Sequence, residues 1–96
     1  AKALVNVYPA RDGQRAQAVV DSFVAEDAAN NFTSAAAMAG APGARCAMSP
    51  PSPVASIKPH FHCVAAVERY VVEVTAVDET DAHQRMAAQI LMLSAP

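Results

Sequence analysis

The sequence predicts an α+β domain: an antiparallel sheet of about four strands, with two principal helices packed on one face, in the order β-α-β-β-β-α. Three observations predict it. Phe61–Val67 and Tyr70–Val77 are rich in β-branched and aromatic residues and flank Glu68-Arg69, the length of a tight hairpin turn. Two other stretches repeat apolar residues at helical spacing. Cys46 and Cys63, with a Pro/Ser-rich segment between them, tie a loop to the start of the hairpin.

Ala3–Tyr8 alternates Ala3, Val5 and Val7 against Leu4, Asn6 and Tyr8, a period-two pattern suited to a strand, which Pro9 ends. Asp12 then caps a helix whose Ala16, Val19, Val20, Phe23, Val24 and Ala28 share one side. Arg15, Gln17, Asp21 and Glu26 largely occupy the other. Asn30 and Asn31 are its stop residues. Ala35–Ala39 reads as a short turn before Gly40, Pro42 and Gly43 break regular structure.

Ala44–Met48 is the weakest strand, and Ser49-Pro50-Pro51-Ser52-Pro53 is a surface loop because its prolines remove ladder donors. A two-residue turn at Glu68-Arg69 pairs Val67 with Tyr70, Ala65 with Val72, Cys63 with Val74 and Phe61 with Ala76, all facing one core. The other hairpin face carries His62, Val64, Ala66, Val71, Glu73 and Thr75. It is not a clean solvent face. The last helix begins near Asp78–Asp81, where acids and Thr80 meet free amides, and presents Ala82, Met86, Ile90 and Leu93 inward.

Ninety-six residues, 53% apolar, support one domain over 1–96 with a modest core, and much of the apolar count is the small side chain of Ala. The formal charge of −2, with interspersed signs, offers no cationic footprint for nucleic acid or anionic lipid. No apolar run approaches the roughly 20 residues of a membrane span. The chain opens almost directly into a strand without an initiating Met, which reads as a processed or excised piece of a larger exported protein.

Cys46 and Cys63 would close a loop of about 16 residues, worth roughly 3 kcal/mol as an unstrained disulfide. That is the principal reading; reduced core thiols or a reactive pair are the other. There is no CxxC, so a thioredoxin-like site is a weak fit. His60 and His62 share a strand face and are weak candidates for Zn or Cu, with no carboxylate evident to complete the set. An exposed or hydrogen-bonded structural pair is the simpler account, and no metal or other cofactor is expected. His83 reads as a partly exposed first-turn residue, Met86 as core, and Ser49, Ser52 and Ser56 as loop residues without a nucleophile setting.

The ordered set GARC, HCVAAVERYVVEV and DAHQRMAAQILML resembles the C-terminal part of mycobacterial cell-envelope lipoproteins of uncharacterised function. The matching positions are Cys46, Cys63, Tyr70, Val71, Ala82, His83, Gln84, Gln89 and Leu93. Glu68 stands where related hairpins commonly place Gly. The resemblance implies an extracytoplasmic, envelope-located protein, with membrane contact only through an upstream lipid anchor that lies outside these residues. It implies no active site.

The expected role is therefore a non-catalytic recognition or protein-interaction module of such a lipoprotein, with no catalytic residue. Leu4, Tyr8, Val64 and Val71 form the expected interaction face, opposite the helix-packed side, for a neighbouring domain, a second copy or an envelope protein or ligand. The alternative is a small ferredoxin-like oxygenase or redox enzyme with an interhelical or dimeric pocket.

Overall fold

The long apolar runs in the second half of the chain become the two central strands of one sheet. The computed structural model describes residues 3–41 and 43–94; Pro42, one of the expected loop breakers, lies outside the described residues. The elements are β1 (Leu4–Pro9), α1 (Gly13–Ala29), β2 (Thr33–Ser34), β3 (Arg45–Met48), β4 (Phe61–Val67), β5 (Tyr70–Ala76) and α2 (Glu79–Ser94). Five strands pair in the order β1-β5-β4-β3-β2, every neighbour antiparallel.

The fifth strand corrects the expected four. Thr33–Ser34 pairs with Met48 and Ala47, and the Ala35 N–H continues the pairing by donating to the Cys46 carbonyl. A two-residue strand carries no readable periodicity. The expected turn over Ala35–Ala39 is instead an irregular stretch leading to an isolated bridge between Met38 and Ala41, with the turn at 39–40 and Gly40 at φ +76°.

The hairpin has the expected register: Val67 opposite Tyr70, Ala65 opposite Val72, Cys63 opposite Val74 and Phe61 opposite Ala76. Glu68 adopts φ +55° to make the turn, a conformation that costs an L residue roughly 1–2 kcal/mol. The N-terminus of α1 lies against this turn. A Cβ on Gly13 would stand 3.2 Å from the Glu68 carbonyl oxygen, so glycine permits the approach.

Both helix starts are capped by aspartate. The Asp12 carboxylate accepts from the Arg15 N–H at 2.8 Å, and Asp78 from the Thr80 N–H at 2.9 Å. Helix α1 stops at Asn30, and Asn31 turns the chain back at φ +67°. The Phe32 N–H then reaches the Asp27 carbonyl and the Asn31 N–H the Ala28 carbonyl, which satisfies the last carbonyls and folds Phe32 back beside the helix.

The two helices lie on opposite faces of the sheet, a correction to the expected single face. Helix α2 sets Ala82 and Met86 against Cys46, Cys63, Ala65, Val67, Val72, Val74 and Ala76, with Ile90 and Leu93 at the margin. Helix α1 sets Ala16 and Val20 against Val64 and Val71, with Phe23, Val24 and Ala66 around them. The reason is visible in the central strands, which are apolar on both sides. A sheet of that kind needs two covers, as sheets buried on both faces generally do.

Candidate functional site

Val64 and Val71 are 1% exposed beneath α1, so they are core and not the interaction face expected of them. Leu4 and Tyr8, on the same sheet side but at its β1 edge, remain 66% and 41% exposed. Helix α1 covers the centre of the sheet and leaves the edge strand open. The expected apolar surface is thereby split into a buried half and an exposed half.

Beneath α1 lies a polar chain that begins with a residue of the inward helical stripe. Ala16, Val20, Phe23 and Val24 line that stripe, and Asp27 follows them at the next helical step. The Asp27 Oδ2 lies 2.5 Å from Nδ1 of His62 on β4. The other ring nitrogen, Nε2, lies 2.6 Å from Oε2 of Glu73 on β5. On β1, the Tyr8 hydroxyl donates to Glu73 Oε1 at 2.8 Å, and Asn6 Nδ2 donates to the same oxygen at 3.3 Å.

Aromatic rings close over this chain. Phe23 stacks on Tyr8 with centroids 6.4 Å apart and meets His62 edge-on at 5.8 Å, while Phe32 stands edge-on to both His60 and His62. The His62 side chain is 9% exposed, Asp27 14% and Glu73 16%.

Burial alone would lower the His62 pKa. The hydrogen bonds to Asp27 and Glu73, with the attraction of both charges, outweigh it, and the pKa is raised. Burial would likewise raise Glu73, but the bonds from His62, Tyr8 and Asn6 hold its pKa down. The Tyr8 hydroxyl is pushed up, chiefly because it donates to Glu73. Below that raised pKa the arrangement is an imidazolium held between two carboxylates. Both ring nitrogens are engaged, so this His62 has no lone pair to offer a substrate or a metal.

His60, just outside β4, and His62 both meet the Phe32 ring, but among the described residues they do not converge with carboxylates on a common point. Glu73 and Asp27 were missed by sequence reasoning. The available signals were a carboxylate inside the apolar strand Tyr70–Ala76 and an acid on the apolar stripe of α1.

On the opposite face, Cys46 and Cys63 form a disulfide across the β3–β4 ladder, with Cα atoms 4.0 Å apart. Cys63 is fully buried and Cys46 nearly so. His83, in the first turns of α2, brings a ring nitrogen and the two sulfurs within 4.8 Å of one another. Its Nε2 is buried without a hydrogen-bond partner. Among the described residues, these are the three side chains whose potential ligand atoms converge.

The edge strand has its own chemistry. Because the two-residue turn makes Val67–Tyr70 a hydrogen-bonded pair, Val71, Glu73 and Thr75 of β5 direct their main-chain groups toward β1, where they meet Tyr8, Asn6 and Leu4. The N–H and C=O groups of Val5 and Val7 therefore point away from the sheet. Pro9, which lacks an N–H, sits at a position where none is needed and extends the strand one residue past its expected end.

No curated protein and no solved structure matches the chain. A family model described as the C-terminal domain of unknown function DUF7373 matches residues 2–95, and the chain belongs to that family.

Proposed function

We propose that this domain is a non-catalytic recognition module of an extracytoplasmic cell-envelope lipoprotein, and that it takes an extended segment of another polypeptide along the open edge of β1. The observation that carries the reading is this edge. Among the described residues β1 has a single neighbour, β5, and it offers the outward main-chain groups of Val5 and Val7 beside exposed Leu4, Val7 and Tyr8. Leu4–Pro9 contains no charged residue, although natural edge strands are commonly blunted by charge. An added strand would gain main-chain hydrogen bonds from the edge and side-chain selectivity from its two faces. The envelope location is supported by the disulfide, which persists in oxidising compartments, and by the resemblance to mycobacterial envelope lipoproteins.

The competing oxygenase or redox reading asks for an enclosed pocket with convergent titratable groups. The cavity beside Asp27, lined also by Val24, Phe32, Arg45 and Cys46, has a volume of about 60 Å³, room for about two waters. A larger hollow of about 270 Å³ runs along Ala44, Ala65, Val67 and Ile90 with Glu68 as its one titratable side chain. Neither favours a reaction over recognition.

The test compares parent, Val7→Pro and Val19→Lys proteins in recovery of partners from envelope extract, with amide exchange on the recovered complex. Val7→Pro removes an outward N–H and leaves the β5 ladder intact, whereas Val19, 38% exposed at the flank of the buried stripe of α1, is away from the β1 edge. The reading requires that Val7→Pro lose a partner that Val19→Lys retains, with new protection at Val5 and Val7. Equal recovery by all three, or no change at those amides, overturns it.

A further inference from the structure

The pair of cysteines and His83 form a site that neither the recognition reading nor structural stapling uses in full. A disulfide requires no histidine beside it. Yet His83 reaches from α2 toward Cys46 and Cys63, and its Nε2 is buried without a partner, an arrangement that is unfavourable for a polar atom withdrawn from water. The retained cost calls for a ligand that another state of the site could supply.

We propose that reduction of the Cys46–Cys63 disulfide converts this place into a binding site for one divalent cation of the zinc class, held by the two thiolates and His83. The first step is thiol–disulfide exchange with a dithiol reductant. Its two electrons break the S–S bond, its two protons end on Cys46 and Cys63, and it leaves as its own disulfide. The second step is metal binding: the cation displaces the two thiol protons to solvent, forms two metal–sulfur bonds, and takes the lone pair of the neutral imidazole.

The donor set selects the metal class. Thiolate and imidazole favour zinc-like ions over the oxygen-seeking magnesium and calcium. Donors about 2.0–2.3 Å from a tetrahedral ion stand about 3.5 Å from one another. The three atoms already lie within 4.8 Å, and loss of the S–S bond frees the sulfurs to open around an ion. Two thiolates and a dication sum to zero, so the closed site suits its apolar walls, which include Ala65, Val74 and Met86. Three protein ligands leave a fourth position open, the pattern of sites that retain an exchangeable ligand.

The site thus has two covalent states, and an oxidising poise holds it in the first until a dithiol reductant acts. Oxidised, it is a staple between β3 and β4. Reduced and metallated, it crosslinks the same strands and adds α2 to the link.

The experiment uses the chain reduced anaerobically with a phosphine, freed of reductant and confirmed to carry two titratable thiols. Cobalt(II) is titrated as a spectroscopic probe and then displaced with zinc. One equivalent should bind, with a thiolate-to-metal charge-transfer band and the strong d–d bands of a four-coordinate ion. His83→Gln should retain the disulfide when oxidised, but when reduced should bind at least about tenfold more weakly with altered d–d bands. His60→Gln should match the parent. A folded, reduced parent without the charge-transfer band overturns the proposal, as does His83→Gln binding with parental affinity and spectrum. Should the reduced chain unfold, zinc must restore the native circular dichroism; failure to do so overturns it equally.

Discussion

At pH 6, below the raised His62 pKa, replacing His62 by Gln removes a positive charge that Asp27 and Glu73 share, while preserving an amide able to bond one of them. The other carboxylate is left beneath α1 without its partner. Removing one member of a buried ion pair costs about 3–5 kcal/mol. Asp27 and Glu73 retain 14% and 16% side-chain exposure, which places the expected loss near the low end, about 3 kcal/mol. At about 4–8 °C per kcal/mol for a domain of this size, the melting point should fall by ~12–24 °C. Urea unfolding of the parent and His62→Gln, repeated in an Asp27→Asn, Glu73→Gln background, measures the interaction directly. In that background the loss should shrink below about 1 kcal/mol, because neutral partners leave no charge stranded. The same network sets the pH dependence. His62 has a folded pKa above the free imidazole value of 6.5, so its contribution is complete below that pH and disappears as pH rises through the folded value. Glu73 has a folded pKa below 4.5, so its contribution is present above that pH and disappears as pH falls through the folded value. Stability should therefore peak on the mildly acidic side of neutrality, and His62→Gln should flatten the alkaline limb. A His62→Gln protein within about 1 kcal/mol of the parent at pH 6, or an unchanged alkaline limb, would refute the reasoning.

Glu68→Gly should stabilise the fold by about 0.5–1 kcal/mol, since glycine relieves φ +55° at some cost in unfolded-state entropy; a lower urea midpoint would contradict it. Met86→Ala removes a fully buried side chain between α2 and the sheet and should cost about 2–5 kcal/mol by thermal or urea unfolding. Cys46→Ala with Cys63→Ala should cost about 3 kcal/mol from loop closure, together with loss of side-chain packing, and intact mass after thiol labelling of the untreated parent should show no label.

Much of the fold was legible because its signals are local. Asp12 and Asp78 cap where their spacing to the apolar stripes says they should, and the Glu68-Arg69 turn sets the whole β4–β5 register through a period of two. The side of the sheet on which α1 lies is not local. It depends on chain crossing from β1 at one edge to β2 at the other, so Val64 and Val71 read as an open surface until that crossing is known. The Asp27–His62–Glu73 chain was hidden for the same reason. Its members come from three elements, and an inward-facing acid looks like an interruption of an apolar pattern until its partner on another strand is in view.

The clasp at the mouth of the proline-rich loop has a further consequence. Ser49 donates its N–H to the His60 carbonyl, and its hydroxyl oxygen accepts the His60 N–H, both at 2.9 Å, while the disulfide sits just inside that pair. Everything from Pro50 to Pro59 hangs outside a doubly fastened ring. Cleavage anywhere within it would yield two polypeptides that remain one molecule, joined through sulfur and by the β3–β4 ladder. The segment is consequently the place where the chain can be opened to receive foreign sequence, a reporter or an epitope, without asking the sheet to find its partners again.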